Sequence, residues 1–398
     1  MYILDFLQTW SHEQSSEGGT DSFEYRLLCS GELYNSRVRT ADWRKSDATR
    51  ILLRSPLTLV VCSQPFDDFP QEIAFRFSAP LVTESEGQST MVHSPDQEVA
   101  ADFAALLTLY CRRLITVAAK VRQTHPKEYE DEPAVFQDWP IGFVRSLKPV
   151  HWERKPATVV WGFQGIKSFT DHNPPPLGID STRLQHWLSN LPNLTAAKSI
   201  ILSVRLYSLA LQQLERDTEI AYQLLFAAAE ATATDALRDY KPPENEMIQT
   251  KKFVGDLAVS FGLCQEQADR LAIEACKDMS WAKRKFVKFL AENTTDEFWK
   301  EDDLFKLPAK ILPTRDKYES ALKRVYDARG KLVHSGQPLP PSSTISGGST
   351  IPIMAAMSVI NSPANAFPPV VWFERVVNQA LNTFIDRSMS KIVERTPI

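Results

Sequence analysis

The stretch Pro313-Thr-Arg-Asp-Lys-Tyr-Glu-Ser-Ala-Leu-Lys-Arg-Val-Tyr-Asp-Ala-Arg-Gly-Lys-Leu-Val-His-Ser-Gly336 decides how the carboxy-terminal half of this chain is read. Its apolar residues Tyr318, Leu322, Val325, Tyr326, Leu332 and Val333 recur at intervals of three, four and seven, which predicts an amphipathic helix over 314–333. Pro313 and Thr314 open the pattern, and Gly336 with Pro338 closes it. Arg329 falls in line with Leu322, Val325 and Leu332, so a permanent charge sits on the stripe expected to face the core. Such a charge requires a partner or a ligand. His334 follows five positions later. On a regular helix it projects about 140 degrees away from Arg329, over Gly330 and Asp327. Either the helix loosens before Gly336, or the two side chains line opposite edges of a groove that a second copy of the helix completes. Gly330, one turn before His334, leaves room for a phosphate to approach.

An arginine and a histidine separated by four residues is a common spacing, and context must decide its meaning. Arg145 and His151 show the contrast: Pro149 lies between them in a Trp- and Pro-rich region that does not read as helix. Around Arg329 the helical context is continuous.

The run from Val325 to Gly336 resembles the signature helix of the HEPN superfamily (higher eukaryotes and prokaryotes nucleotide-binding), especially its ApeA-like members. Upstream, Ala221-Tyr-Gln-Leu-Leu-Phe-Ala-Ala-Ala-Glu230-Ala is similar to the long second helix of that group, which carries an acidic residue after an apolar run. Downstream, Trp372-Phe-Glu-Arg-Val-Val-Asn-Gln-Ala-Leu-Asn-Thr-Phe384 resembles its closing helix. The likeness covers roughly Ala197 to Glu394, about half of the chain. One position departs from it: family members often carry Asn, Asp or Ser directly after the arginine, where this chain has Gly330.

The resemblance implies a metal-independent endoribonuclease, in the company of defence and toxin effectors. RNA carries its own nucleophile, the ribose 2′-hydroxyl, and needs a base for its proton, an acid for the leaving 5′-oxygen and positive charge on the phosphorane. His334 is expected as the acid or base, because imidazole titrates near neutral pH. Arg329 is expected to hold the scissile phosphate through its fork of donors. Asp327, Gly330 and Glu230 are the supporting residues, with Glu230 placed to orient Arg329. The resemblance further implies a homodimer in which both Arg/His pairs line one cleft. A purely structural role is the competing reading: a histidine near a helix C-terminus commonly caps carbonyls, and an inward arginine commonly pairs with a carboxylate such as Glu230 or Asp327.

Other constellations carry less chemistry. Trp281-Ala-Lys-Arg-Lys-Phe-Val-Lys288 joins an aromatic ring to Lys283, Arg284, Lys285 and Lys288, a set that could track an RNA backbone together with Lys331, or simply form a solvated helix face. Five cysteines, Cys29, Cys62, Cys111, Cys264 and Cys276, are odd in number and lack paired metal spacing, so they read as thiols in a reducing compartment. The histidines other than His334 (His12, His93, His125, His151, His172 and His186) lie far apart. No metal site and no cofactor are expected, and the chain contains no phosphate-cradling glycine loop.

At 398 residues and a net charge of −4, the chain is long enough for two domains, and it is too weakly charged to bind polyanions over its whole surface. Any RNA contact must be local. No apolar run approaches a membrane span, and Met1 to Gln8 reads as a strand without a basic leader, so a cytoplasmic protein is expected. The fold class expected is α+β: a mixed strand and helix domain over 1–172, a linker over 173–180, and an all-α HEPN-like bundle over 181–398. Strands are expected at Tyr2 to Leu7, Phe23 to Cys29, Ile51 to Cys62, Ile73 to Phe77 and Thr158 to Phe163, with a long helix from Asp96 to Arg122. Bundle helices are expected at Ser181 to Leu188, Thr195 to Arg216, Thr218 to Tyr240, Met247 to Phe261, Gln265 to Glu292, Thr314 to Val333 and Pro368 to Val393. The Pro-, Ser- and Gly-rich segment 335–366 reads as a mobile loop. The amino-terminal domain is expected to sense a trigger or bind a protein partner. A non-catalytic HEPN-type module for RNA binding or dimerisation remains the alternative, and Gly330 is the residue that favours it.

Overall fold

The structure is a computed structural model and describes residues 2–13, 20–29, 33–35, 50–51, 57–61, 71–80, 95–124, 177–214, 217–278, 281–300, 313–340 and 367–395. Its organising element is α2 (Pro95–Cys111), on which every residue from Asp102 to Leu109 is buried. Thirteen of its seventeen residues are apolar or small enough to accept burial on more than one side, and the helix uses that: it packs on the sheet in one direction and on the first long bundle helix in the other.

The sheet is antiparallel throughout, in the order β3-β4-β5-β1-β6. Its strands are β1 (Thr20–Cys29), β3 (Arg50–Ile51), β4 (Leu57–Val61), β5 (Gln71–Pro80) and β6 (Ile115–Thr124). Tyr25, Leu27 and Cys29 alternate inward along β1, as the two-residue period of a strand requires, and Phe75 of β5 stacks on Phe103 of α2 with centroids 3.9 Å apart. A separate parallel pair joins β2 (Leu33–Asn35) to β7 (Leu177–Ile179). The carboxy-terminal part of the segment read as a linker therefore forms a strand, and Ile179 is fully buried.

Two sequence expectations fail in this half. Residues 2–7 are not a strand: they open α1 (Tyr2–Glu13), where Ile3, Leu4 and Phe6 are buried and Leu7 packs partly against the core. Short apolar runs fit either period, and here tertiary packing against α2 selects the helix, with the Ile3 N–H donating to the buried Asp102 carboxylate at 3.3 Å. The helix expected over Asp96 to Arg122 stops at Cys111. Arg112 adopts a left-handed φ of 51°, and the β-branched run Ile115-Thr-Val then enters β6. Thr108 fastens this reversal, accepting the Ile115 N–H at 3.0 Å. Of the strand expected over Ile51 to Cys62, Ile51 belongs to β3 and Leu57–Val61 form β4, and the other residues lie outside the described ones. Thr158 to Phe163 lies outside the described residues.

Beyond Ile179 the described residues are helical, matching the all-α half expected from sequence. The helices are α3 (Ser181–Asn190), α4 (Ala197–Gln213), α5 (Thr218–Ala236), α6 (Glu244–Ser260), α7 (Gln265–Asp278), α8 (Ala282–Asn293), α9 (Asp296–Lys300), α10 (Tyr318–Ser335) and α11 (Val370–Arg395). Asp180 and Asp217 cap α3 and α5 with their side chains, satisfying backbone N–H groups of the first turn. The helix expected over Gln265 to Glu292 is described as two helices, the first ending at Asp278 and the second starting after Trp281, which is left-handed at φ 52°. Aromatic rings fill the bundle centre: Tyr222 stacks on Phe373 at 4.7 Å, and Phe226 stacks on Phe286 at 4.5 Å.

The core does not divide at the linker. Buried residues from α1, the sheet and α2 run without a break into those of α3, α4 and α11. A polar network reinforces the junction. Arg112, in the left-handed turn, donates to both carboxylate oxygens of Glu374 on α11, and Tyr207 of α4 donates to Glu374 at 2.6 Å. Asn378 then donates to the Tyr207 hydroxyl at 3.1 Å and to the Leu109 carbonyl at 2.8 Å. The start of the segment read as a mobile loop is also held, since Leu339 is buried and its N–H donates to Glu219 at 2.8 Å. Residues 341–366 lie outside the described ones.

Candidate functional site

Helix α10 positions the site. Its first half is core: Tyr318, Ala321, Leu322 and Val325 are buried, and the Tyr318 hydroxyl bonds to Thr294 at 2.7 Å. Its second half rises to the surface, through half-buried Tyr326 and Arg329 to exposed Lys331 and His334. The helix remains regular through Ser335, where Gly336 stops it at a left-handed φ of 63°. The sequence left two geometries open, and loosening before Gly336 is not the one observed. Arg329 and His334 diverge on a continuous helix.

Arg329 lies against α5, at the rim of the aromatic core. Its guanidinium sits over the Phe226 ring at 5.0 Å, and its Nη2 lies 3.8 Å from Glu230 Oε2. Phe226 and Glu230 are four apart on α5, so one helix face supplies both the ring and the carboxylate. The Arg329 side chain remains 31% exposed, enough to meet a ligand while the aliphatic stem and the cation face are packed. Tyr326 completes the group. Its ring packs edge-on to Phe226 at 5.2 Å, and its hydroxyl is pushed up in pKa by burial first and then by the neighbouring Glu230 charge. The sequence placed Tyr326 only on the apolar stripe of the helix and did not single out Phe226, for which the i, i+4 relation to Glu230 was the available signal.

His334 is exposed in the last turn and makes no hydrogen bond or ion pair among the described residues. The carbonyls of Leu332 and Lys331 are taken by the backbone N–H groups of Gly336 and Gln337, at 3.1 and 3.4 Å. Helix closure at these carbonyls therefore does not use the imidazole. Between the two side chains, the surface over Gly330 is open: a Cβ built there meets no atom within 4 Å.

Asp327 faces away from Arg329 and accepts from Lys283 at 2.6 and 2.7 Å, tying α10 to α8. The basic run that contains Lys283 starts α8, where the helix dipole disfavours cations and Trp281 supplies no side-chain cap. Acidic partners compensate. Arg284 pairs with Glu246 of α6 and lies over the Trp281 ring at 5.6 Å, while Lys288 pairs with Glu292 at 2.7 Å, and the resulting hydrogen bond raises its pKa. Lys285 is half-buried and Lys331 is exposed. The structure thus brings Arg329 to Glu230, with Gly330 next to it in the helix and His334 one turn beyond Gly330, and it joins Asp327 to the basic run rather than to Arg329.

Among the described residues, no three His, Cys, Asp or Glu side chains converge as a metal site. Cys29, Cys111 and Cys276 are buried free thiols, and Cys264 is an exposed one. No helix among them is long and apolar enough to cross a membrane. Comparison of the chain with family models, curated proteins and solved structures returned no match.

Proposed function

We propose that this protein is a HEPN-type, metal-independent endoribonuclease whose second half of α10 binds and cleaves RNA, acting as a homodimer. The observation that carries the reading is the state of Arg329 and His334. The arginine is braced by Phe226 and Glu230 yet open to solvent, and the histidine five positions later is exposed with no hydrogen-bond or ion-pair partner among the described residues. A structural arginine of this kind has no need of an open surface beside it, whereas a phosphate-binding one does.

In the proposed reaction the 2′-oxygen attacks phosphorus and the P–O5′ bond breaks. The 2′-hydroxyl proton passes to a base, and the departing 5′-oxygen takes a proton from an acid, leaving a 2′,3′-cyclic phosphate and a 5′-hydroxyl. His334 fills one of these proton-transfer roles. Arg329 stabilises the charge that builds on the phosphorane, exchanging its long contact to Glu230 for a shorter one to phosphate. Because a regular α10 sends the two side chains in different directions, one copy does not close the site by itself, and a second copy supplies the opposite edge. Anti-phage defence or toxin action is the biological setting proposed, with the sheet-bearing half as the place where a trigger or protein partner acts.

The second reading is a non-catalytic RNA-binding or dimerisation module, favoured by glycine at position 330. Incubating wild type, Arg329→Ala and His334→Ala with labelled structured and single-stranded RNA in chelator separates the two. Cleavage by wild type alone, leaving cyclic phosphate ends, supports the nuclease. RNA binding without cleavage by all three proteins supports the binding module.

A further inference from the structure

Helix α10 carries a line of cations on a flank that the site does not use. Arg324 and Lys331 are seven residues apart on the helix, and Lys317 stands seven before Arg324, at the N-cap. Seven residues bring a helix back to within about 20 degrees for a rise of about 10 Å, so the three lie along one flank over about 21 Å. Lys317 and Lys331 are exposed, Arg324 is half-buried, and none of the three pairs with a carboxylate among the described residues. The Arg324 Nη1 donates to Ser320 at 3.1 Å, which holds the guanidinium along the helix, while its buried Nε meets no acceptor. The acids of the same helix are engaged elsewhere. Asp327, the helical acid nearest the line, accepts from Lys283 with both oxygens, and Glu319 lies 3.9 Å from Lys323 on another side. Exposed Asp316 remains, beside Lys317. The basic run of α8 differs, since Lys283, Arg284 and Lys288 each hold a carboxylate.

We infer that Lys317, Arg324 and Lys331 form a track on which α10 holds the backbone of an RNA strand. Charges spread over about 21 Å outreach any small anion. They fit a partner whose own charges repeat along a line, as the phosphates of a nucleic acid do. An anionic membrane fits less well, because the residues beside the line are Ser320, Ala328 and Ser335, and an interfacial helix needs large apolar side chains there. RNA is selected by the neighbouring chemistry, and in this the inference rests on the reading of His334 given above. Lys331 lies about 60 degrees around the helix from His334 and about 160 degrees from Arg329. A strand on the line therefore passes His334 of its own copy, and the second copy of the proposed dimer supplies Arg329.

The test uses the full chain and a labelled single-stranded RNA in chelator, with affinity read by fluorescence anisotropy over a salt series. Lys317→Gln, Arg324→Gln and Lys331→Gln are compared singly and together with wild type, and each fold is checked by circular dichroism. Lys252→Gln, which removes an exposed lysine of α6, is the charge-matched control. Each change on the line is expected to lower the slope of log affinity against log salt by about 0.7, and the three together by about 2, while the control leaves it unchanged. Lys317 and Lys331 are exposed, so the outcome does not hang on the folding of Arg324→Gln. Slopes equal to wild type in the folded variants overturn the inference, and a slope still lowered by Arg329→Ala would then leave the proposed function standing. A lowered slope on the line without cleavage by wild type supports the track and removes the nuclease. Absence of RNA binding by wild type overturns both. Tighter binding of polyglutamate than of RNA, or binding of phosphatidylserine vesicles in place of RNA, overturns the inference in favour of an acidic protein or a membrane.

Discussion

Arg329 of α10 faces Glu230 of α5 across 3.8 Å, a separation at which the two charges attract without a direct hydrogen bond. Both side chains are partly open to solvent, so their pairing contributes little to stability, under about 1 kcal/mol. Its larger effect is on ligand competition, because a phosphate must draw the guanidinium away from a standing carboxylate. Glu230→Gln is expected to leave thermal unfolding nearly unchanged and to tighten RNA binding about three- to tenfold. Fluorescence anisotropy with labelled RNA checks this, and weaker binding by the variant would assign Glu230 to orienting Arg329 instead.

Gly330 allows stability and function to be set against each other. It is not among the glycines with positive φ, and nothing within 4 Å opposes a Cβ. A helical glycine in that situation costs about 0.5–1 kcal/mol relative to alanine. Gly330→Ala should therefore raise the denaturation midpoint. If the open surface serves phosphate approach, the same variant loses RNA binding or cleavage. Gly336→Ala should act in the opposite sense, destabilising by about 1 kcal/mol, because its φ of 63° strains a side-chain-bearing residue. Paired urea melts and RNA assays on the two variants measure both effects.

The helical half was legible because its helices announce themselves twice, by apolar period and by end signals. For α10 the sequence supplied the stripe, the stop at Gly336 and the outlying charge that proved to lie against Glu230. What escaped was decided by single backbone angles and by tertiary partners. Nothing local marks Arg112 or Trp281 for a left-handed φ, yet those residues end one helix and separate two others. The first residues of the chain fit a strand and a helix equally well until α2 is present to pack against. The pairing of Lys283 with Asp327, 44 residues apart, was likewise invisible. A basic run shows its charges in the sequence, and its partners only in the fold.

Those partners lead to a prediction about salt. Lys283, Arg284 and Lys288 each already hold a carboxylate, and taking up a phosphate requires breaking that pair. Lys331 is exposed one turn from His334. In plots of log affinity for RNA against log salt, Arg329→Ala and Lys331→Ala should each lower the slope by about one. Lys288→Ala should leave it unchanged. A slope that falls only for the α8 residues would move the RNA path to the start of that helix.

The Glu374 network predicts where the fold is most easily broken. Glu374 is buried and receives Arg112 from the α2 to β6 turn and Tyr207 from α4. Glu374→Gln leaves a mostly buried guanidinium facing a neutral amide, which is expected to cost about 3 kcal/mol. Tyr207→Phe removes one donor and should cost about 1–2 kcal/mol. The two losses should not add, since both residues belong to one network. Urea denaturation of the single and double variants measures the coupling, and simple additivity would show that the network is a set of independent contacts.

Buried phenols make the fold sensitive to alkali. Burial pushes the Tyr110 hydroxyl from its ordinary value near 10 up to about 12. Burial likewise raises Tyr25, Tyr207, Tyr222 and Tyr318, and the Asp96 carboxylate adds to the effect at Tyr25. Above pH 10 the unfolded chain therefore releases protons that the fold retains. With fewer protons on the unfolded state, stability falls as pH rises, and the Tyr110 share is lost between pH 10 and about 12. Below pH 10 these groups should leave stability flat. Tyrosinate absorbance and circular dichroism followed together through the alkaline range should show an early phase from exposed tyrosines with the fold intact. A second, steeper phase should then coincide with loss of helix, because these hydroxyls ionise only as the core opens.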